Sequence, residues 1–550
     1  MFNVIILSSG LSSRLKPITN NIPKILVNVG NDTALLQQTN YWKQIEGLDN
    51  IYVVIHPNFI KITEAYIAMN KLENIEIISE PESNGSFEAI RNAVATNPKL
   101  QSDVFLNWSD LIPVTPVEHI QRCNIIYRNG NQHRYGINDH GSIENVGSGG
   151  DIPGLYYIQE FPDFDKGKKG DDLIDHMKER PYMAQHIDEL IDFGDIPKLT
   201  HACSAQVVSR EFNSVEINAT TVVKTAMNKK GKDLQKKELK WYSKTPPNTP
   251  KILKSDEDSF TMERAKGQPL YQCYEEGLEQ KALTALAALH ETNYQQVSQK
   301  VIERDLKIEV VDKTYDRKKS IQGLLNGFGK VESINGKPLI DFDEMCTILY
   351  DRLSWFNQHR TSYAFIHGDP NFSNTMYDGS NITFIDPRGY FGETRLYGPE
   401  TYDQAKVLYA LSGYDNFNAD AHFGNYELDG TDLKMMIPPL TKVKNIDPAN
   451  NKLFNEESYT WLALIWTNLG GYFKNNPLKA VLSYYYGLHL ATWLIEDRFP
   501  KKRNGYNELY RPIDLIIHTK VPFKWDIIDM ENKVDYRGQG PFADMMWKKI

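Results

Sequence analysis

The sequence predicts an α/β chain in two domains, a parallel sheet wrapped by helices and then a domain of a few strands followed by many helices. Three observations lead there. Short β-branched runs alternate with helically spaced segments over the first 110 residues. The pattern changes after Leu199. The chain has 550 residues, enough for about two to four cores at roughly 100–200 residues per domain.

The elements follow in order. Val4–Leu7, Ile51–Ile55, Ile75–Ile78 and Val104–Leu106 read as strands, and Thr33–Glu46 and Phe87–Ala95 as helices. This order suits a parallel sheet, whose ligands bind beyond the carboxyl ends of the strands. From Gly136 to Lys198 the pattern is less regular. It holds a Gly-rich connection (Gly147, Gly149, Gly150, Gly154), a strand at Leu155–Ile158 and a helix around Asp171–Glu179. Beyond Leu199 come strands at Ala205–Val208 and Thr220–Lys224, a Lys-rich helix over Lys232–Lys244, a turn-rich Thr245–Pro250, and mainly helices after Leu270. The boundary is expected near residues 199–206, dividing 1–203 from 204–550, with lobes of about 204–268 and 269–550 in the second domain.

Composition narrows the function. Lys plus Arg number 62 against 71 Asp plus Glu, a net charge of −9, which argues against nucleic acid as the main partner. With 35 glycines and 27 prolines, collagen-like structure and wholesale disorder are excluded. The cysteines Cys123, Cys203, Cys273 and Cys346 have neither metal nor redox spacing and are too sparse for a secreted disulfide framework. Met1–Leu7 runs straight into a strand without a basic leader. No apolar run approaches the ~18 residues that span a bilayer. Tyr459–Ile495, the richest, is broken by Asn468, Gly470, Gly471, Lys474 and Asn475. A cytoplasmic protein with no membrane insertion is expected, its oligomeric state open.

The first strand ends in Leu7-Ser-Ser-Gly-Leu-Ser-Ser-Arg-Leu-Lys-Pro-Ile-Thr-Asn-Asn-Ile-Pro-Lys-Ile-Leu26. Small residues here let backbone amides approach a phosphate, and Arg14 and Lys24 supply fixed positive charge. It is neither a P-loop nor a dinucleotide fingerprint. The segment resembles the opening of sugar-phosphate and phosphocholine nucleotidyltransferases, Gly-x-Gly-Thr-Arg-x-x-Pro-x-Thr-x-x-x-Pro-Lys. Gly10, Arg14, Pro17, Thr19, Pro23 and Lys24 match, while Ser12 and Ser13 replace the second Gly and the Thr.

The resemblance covers about residues 1–200 and implies a Rossmann-like, GT-A-like domain. It implies that Gly10, Ser12 and Ser13 cradle the nucleotide and that Asn84 and Gly85, otherwise a plain helix cap, read the base. It further implies that Asp110 binds Mg²⁺ with Asp192 as second ligand, Asp195 being the alternative. The Glu-Lys-Pro segment with which sugar-1-phosphate members hold the sugar is absent between residues 120 and 160. That favours an acceptor other than a hexose.

A second constellation is Phe365-Ile-His-Gly-Asp-Pro-Asn-Phe-Ser-Asn374, followed by Ile382-Thr-Phe-Ile-Asp386. An Asp, an Asn five residues later and an Asp ending a strand form the layout a phosphotransferase needs. Asp369 deprotonates the acceptor hydroxyl, and Asn374 and Asp386 hold Mg²⁺ on ATP. The pattern resembles the aminoglycoside phosphotransferase and choline kinase group over about residues 205–500, and so implies a two-lobed, protein-kinase-like α+β domain. In that resemblance Lys224 holds the ATP phosphates, Glu238 is its helix partner, and Met262–Leu270 with Glu263 forms the adenine hinge. Both Lys224 and Glu238 sit in a Lys-rich stretch that also reads as a solvated helix face. No Gly-rich loop precedes Lys224, so Arg210–Ser214 is expected as the phosphate hairpin. His290 reads as structural, and Asp403 as a brace for the catalytic loop. Trp461, Trp466, Tyr484, Tyr485, Tyr486 and Trp493 would suit a quaternary ammonium pocket, but helical core packing explains their spacing better.

Together the two halves imply consecutive steps. ATP phosphorylates a small acceptor, a choline- or ethanolamine-like alcohol or a sugar. A second NTP, with CTP first, then activates the product for surface glycan or lipid decoration. The alternatives are a sugar-1-phosphate nucleotidyltransferase fused to an anomeric sugar kinase, and a single-activity enzyme with one regulatory or scaffold domain.

Overall fold

Alternation along the first strand sends Val4 and Ile6 to one side of a sheet and Ile5 to the other, and each side meets its own buried cluster. A computed structural model of the protein shows the sheet they belong to. The structure describes residues 1–80, 85–117, 123–130, 133–137, 142–164, 168, 170–178, 182–205, 213–420, 423, 425–440 and 454–498.

Among the described residues the N-terminal sheet has seven strands. From one edge they run Met183–His186, Ile125–Arg128, Leu155–Ile158, Val104–Trp108, Phe2–Ser8, Leu48–Ile55 and Ile75–Ser79. The four strands expected in the first 110 residues are mutually parallel. The sheet as a whole is mixed, because Leu155–Ile158 runs antiparallel to both its neighbours. Phe2–Ser8 lies between Leu48–Ile55 and Val104–Trp108, so the strand order reverses beside it. The crevice at that reversal is where open α/β sheets bind ligands.

Two helices were not expected. Ile60–Met69 follows the strand Leu48–Ile55, although its sequence is rich in β-branched residues. Packing against the helix Lys313–Phe328 overrides that propensity. Ile196–Ala205 takes in Ala205, the start of a predicted strand whose remainder, 206–208, lies outside the described residues.

Asn213–Ile217, Thr221–Ala226, Ser259–Glu263 and Ile252–Ser255 form a four-stranded antiparallel sheet in that spatial order. The Lys-rich helix lies against it and spans Lys229–Tyr242, buried through Gln235, Glu238, Trp241 and Tyr242. Helices then dominate, with Glu456–Tyr472 packed on Pro477–Arg498 and on Glu400–Leu411. Buried side chains of both halves form one continuous cluster. No helix among the described residues is long and apolar enough to cross a membrane.

Candidate functional sites

The first strand delivers the Gly10–Lys24 segment to the reversal point. Gly10, Ser13 and Arg14 are exposed and Ser12 is half-buried. Ser12 takes a left-handed backbone, φ 50°, and Thr19 donates its hydroxyl to the Ser12 carbonyl at 2.9 Å, closing the loop on itself. Lys24 begins a short turn of helix, and its Nζ donates to Asp110 Oδ2 at 2.8 Å. Both side chains are largely shielded from water.

Asp110 lies in the turn just after the neighbouring strand Val104–Trp108. Gln38 and Asn107 donate their amides to the Leu111 carbonyl, at 2.6 and 3.0 Å, and pin the turn that carries it. The short strands Leu111–Pro113 and Leu190–Asp192 pair antiparallel with Asp192 opposite Leu111, which brings the second carboxylate alongside. The two meet at Gly194. A Cβ there would lie 2.9 Å from Asp110 Oδ2 and 3.2 Å from Asp192 Oδ1. Lys198 Nζ donates to Asp192 Oδ2 at 2.6 Å.

Asp195 serves otherwise. Its Oδ1 accepts from the Lys198 amide at 3.0 Å, as a residue capping the helix Ile196–Ala205 does. Between the two carboxylates, then, Asp192 is the one that faces Asp110. His133 lies 3.8 Å from Asp192 Oδ2, and burial holds its imidazole below the usual pKa. Asn84 is outside the described residues. Gly85, at φ 91°, starts the helix Ser86–Thr96, and a Cβ there would fall 2.5 Å from the Asp171 carbonyl.

A second cluster forms in the C-terminal half. Lys224 is buried on the strand Thr221–Ala226, donating to Glu238 Oε1 at 2.7 Å and also to Asp386 Oδ1. Burial pulls its pKa down, but the two carboxylates outweigh it and hold the ammonium above its usual value. Glu238 is therefore a buried partner and not part of a solvated face.

Asp386 adopts φ 56° just after Ile382–Phe384, which pairs with Thr375–Tyr377 to bring Asn374 and Asp386 to the same end of a hairpin. Asn374 Nδ2 donates to the Asp369 carbonyl at 3.0 Å and to Asp369 Oδ2 at 3.3 Å. Asp369 Oδ1 lies 2.9 Å from Lys406 Nζ. Burial alone would raise the Asp369 carboxyl, yet Lys406 holds it below its usual value.

The loop around Asp369 is braced on several sides. Asp403 accepts from the amides of His367 and Gly368 at 2.8 and 2.7 Å, and His290 Nε2 lies 2.9 Å from the same carboxylate. Asp415 accepts from the Phe372 and Ser373 amides, and burial pushes it up to about 6. Trp241 donates its indole to the Ile366 carbonyl at 2.8 Å, joining the helix that holds Glu238 to this loop. Arg388 pairs with both oxygens of Glu309, at 2.8 and 3.0 Å.

The expected adenine hinge lies at the end of Ser259–Glu263. The Glu263 side chain is exposed, its amide donates to the Lys251 carbonyl and its Oε2 accepts from the Lys251 amide. Of the expected phosphate hairpin, 210–212 lie outside the described residues, and Asn213 and Ser214 open an edge strand. Trp461, Trp466, Tyr484, Tyr486 and Trp493 are buried and Tyr485 is partly so, which makes them core.

Sequence reading missed Lys198, Lys406, Arg388 and Asp415. Lys198 leaves one trace, an Asp-x-x-Lys spacing from Asp195, and the other three approach their partners only in the fold.

Residues 3–129 match the family model described as Nucleotidyl transferase. Among solved structures, a UDP-glucose pyrophosphorylase complexed with UDP-glucose is 14% identical, with 37% of this chain and 98% of that one covered and a TM-score of 0.32. A CTP:phosphocholine cytidylyltransferase from Streptococcus pneumoniae is 15% identical, with 37% and 99% covered and a TM-score of 0.32. A UTP-bound UGPase from Acinetobacter baumannii is 13% identical, with 37% and 92% covered and a TM-score of 0.31. No curated protein matches. The match over residues 3–129 makes the N-terminal part of the chain similar to domains of the nucleotidyl transferase type.

Proposed function

We propose that the chain is a bifunctional enzyme. Its C-terminal half phosphorylates a small hydroxylated acceptor with ATP, and its N-terminal half joins the phosphorylated product to a second NTP, with CTP the first choice. The reading rests most heavily on Lys24, Asp110 and Asp192 converging at the sheet's reversal point, the first two of them inside the matched family segment. The kinase half of the reading rests on Lys224 between Glu238 and Asp386, beside Asp369 and Asn374.

In the first step the acceptor oxygen forms a bond to the γ-phosphorus as the β–γ bridging bond breaks, and the proton goes to Asp369. ADP leaves. In the second step a phosphate oxygen of the product attacks the α-phosphorus of the NTP, the α–β bridging bond breaks, and pyrophosphate leaves. Attacking and attacked groups are both anionic, so Lys24 and Arg14 serve by offsetting that repulsion. Lys224 does the same for the ATP phosphates.

The donor sets fit a hard divalent cation such as Mg²⁺. The gap at Gly194 is bordered by two carboxylate oxygens, and Asp386 offers a carboxylate and Asn374 an amide oxygen in the other half. Mg²⁺ bound there would neutralise phosphate charge.

The acceptor stays a class. With the C-terminal Trp and Tyr residues in the core, the aromatic argument for a quaternary ammonium falls away. A sugar or polyol therefore stands as the second reading beside a choline- or ethanolamine-like alcohol. Screening alcohols and sugars for ADP formation from ATP, then the four NTPs with each product for pyrophosphate, tests the scheme. ADP formed with no acceptor dependence, or no pyrophosphate with any phosphorylated product, would refute it.

A further inference from the structure

The loop that bears Arg14 and Lys24 is held from the other half of the chain. Tyr426 begins the strand Tyr426–Asp429 of the C-terminal half and is only 5% exposed. Its hydroxyl donates to the Ile18 carbonyl at 3.1 Å and accepts from the Asn21 amide at 3.4 Å. The Asn21 side-chain amide donates to the Phe328 carbonyl at 3.3 Å, and the Phe328 ring packs on Tyr426 with centroids 5.9 Å apart.

These contacts meet a stretch of four residues, Ile18–Asn21, flanked by the two cations. Thr19, inside the stretch, ties back to Ser12. Lys24 begins its turn of helix three residues beyond Asn21. The partner surface is itself rigidly seated on the N-terminal half. A Cβ added at Gly327 would fall 2.5 Å from the Ile62 Cα, so the helices Lys313–Phe328 and Ile60–Met69 touch backbone to backbone. A hydroxyl that both donates and accepts on one loop fixes it against sliding in a way apolar packing does not.

We propose that Tyr426 is a positioning residue for nucleotidyl transfer, through which the C-terminal half holds the loop carrying Arg14 and Lys24. The proposal rests on the nucleotidyl-transfer reading of the N-terminal site. Tyr426 is far along the chain from the matched segment, touches neither cation, and acts by holding Ile18 and Asn21 in register. Nucleotide binding and turnover in the first half then depend on the second half even when the second half's own substrates are absent.

The test is Tyr426→Phe in the full-length chain, which keeps the ring and removes the hydroxyl. Hydrogen exchange at the Asn21 amide should quicken about tenfold, the worth of roughly one net hydrogen bond. With a pre-made phosphorylated acceptor and Mg²⁺, the KM for the NTP should rise about tenfold while kcat falls less. Asn21→Ala, which cuts the contact to Phe328 from the other side, should move KM in the same direction by a smaller factor, and it carries the test if Tyr426→Phe does not fold. Unchanged exchange at the loop would overturn the proposal, as would faster exchange with KM and kcat both at wild-type values. If the wild-type chain releases no pyrophosphate with any NTP, the parent reading fails, and loop exchange alone decides whether Tyr426 holds the segment.

Discussion

Lys24 and Asp110, 86 positions apart in sequence, meet at 2.8 Å at the carboxyl ends of adjacent parallel strands. The pair leaves neither of two largely shielded charges without a partner, and under the proposed function both would face the incoming phosphates.

Lys24→Ala should therefore lower pyrophosphate release by on the order of 10²–10³, by analogy with removing one fixed donor from a charged transition state. Gly194→Ala is the sharper variant. Its methyl group would press on Asp110 Oδ2 and Asp192 Oδ1, so release should fall at near-normal stability. Unchanged turnover in Gly194→Ala, with the fold checked by thermal melting, would show that the gap between the carboxylates is unused.

Asp369→Asn should abolish acceptor-dependent ADP formation while sparing pyrophosphate release from a pre-made phosphorylated acceptor, because the substitution removes a proton acceptor and keeps the shape. ADP formation at the wild-type rate would remove Asp369 from the role of base.

Lys406→Met tests what keeps that base ionised. Lys406 holds the Asp369 carboxyl below its ordinary value against the opposing effect of burial. Without the ammonium, burial prevails and the carboxyl pKa rises. The acid limb of the kcat/KM profile for phosphorylation should therefore shift to higher pH. An acid limb at the wild-type position would mean that Lys406 does not set the charge of Asp369.

Glu309 offers a test of the scaffold beneath the loop. Burial pushes its pKa up, but Arg388 and Lys313 outweigh it and hold it at about 2, against an ordinary 4.5. A depressed carboxylate stabilises the fold above its unfolded pKa and loses that contribution as pH falls through the folded value. The window is thus about pH 4.5 down to 2, and the contribution is on the order of 3 kcal/mol. Glu309→Gln should cost about 3–5 kcal/mol near neutral pH, since it leaves Arg388 buried without its counter-charge. The gap to wild type in denaturant unfolding should narrow below pH 4.5, and a gap independent of pH would contradict the pairing.

Five of the seven strands were legible as short apolar runs, and the loops after the first and fourth of them carry the Gly10–Lys24 segment and Asp110. Ile125–Arg128 and Met183–His186 were not expected, and the latter has no β-branched residue to mark it. Ile60–Met69 was not legible either, since its β-branched residues are made helical only by the helix they lie on. Asp192 and Asp195 are equivalent in sequence. They part only when Asp195 caps a helix and strand pairing sets Asp192 beside Leu111. Glu238 stood in a Lys-rich segment where charge pattern suggests solvent, and its burial against Lys224 is a tertiary fact. Lys406 and Tyr426 belong to no local pattern, because their partners lie 37 and about 400 positions away.

The most direct measurement is phosphorus NMR of the wild-type chain with ATP, Mg²⁺, CTP and an acceptor panel in one mixture, repeated with Asp369→Asn and Lys24→Ala. With the productive acceptor, wild type should form ADP, pyrophosphate and a nucleoside diphosphate conjugate. Asp369→Asn should form none of these from the free acceptor, and only pyrophosphate and conjugate, without ADP, once phosphorylated acceptor is added. Lys24→Ala should stop at ADP and the phosphorylated acceptor. Pyrophosphate and conjugate from Lys24→Ala at the wild-type rate, or their formation by Asp369→Asn from unphosphorylated acceptor, would contradict the division of labour between the two halves.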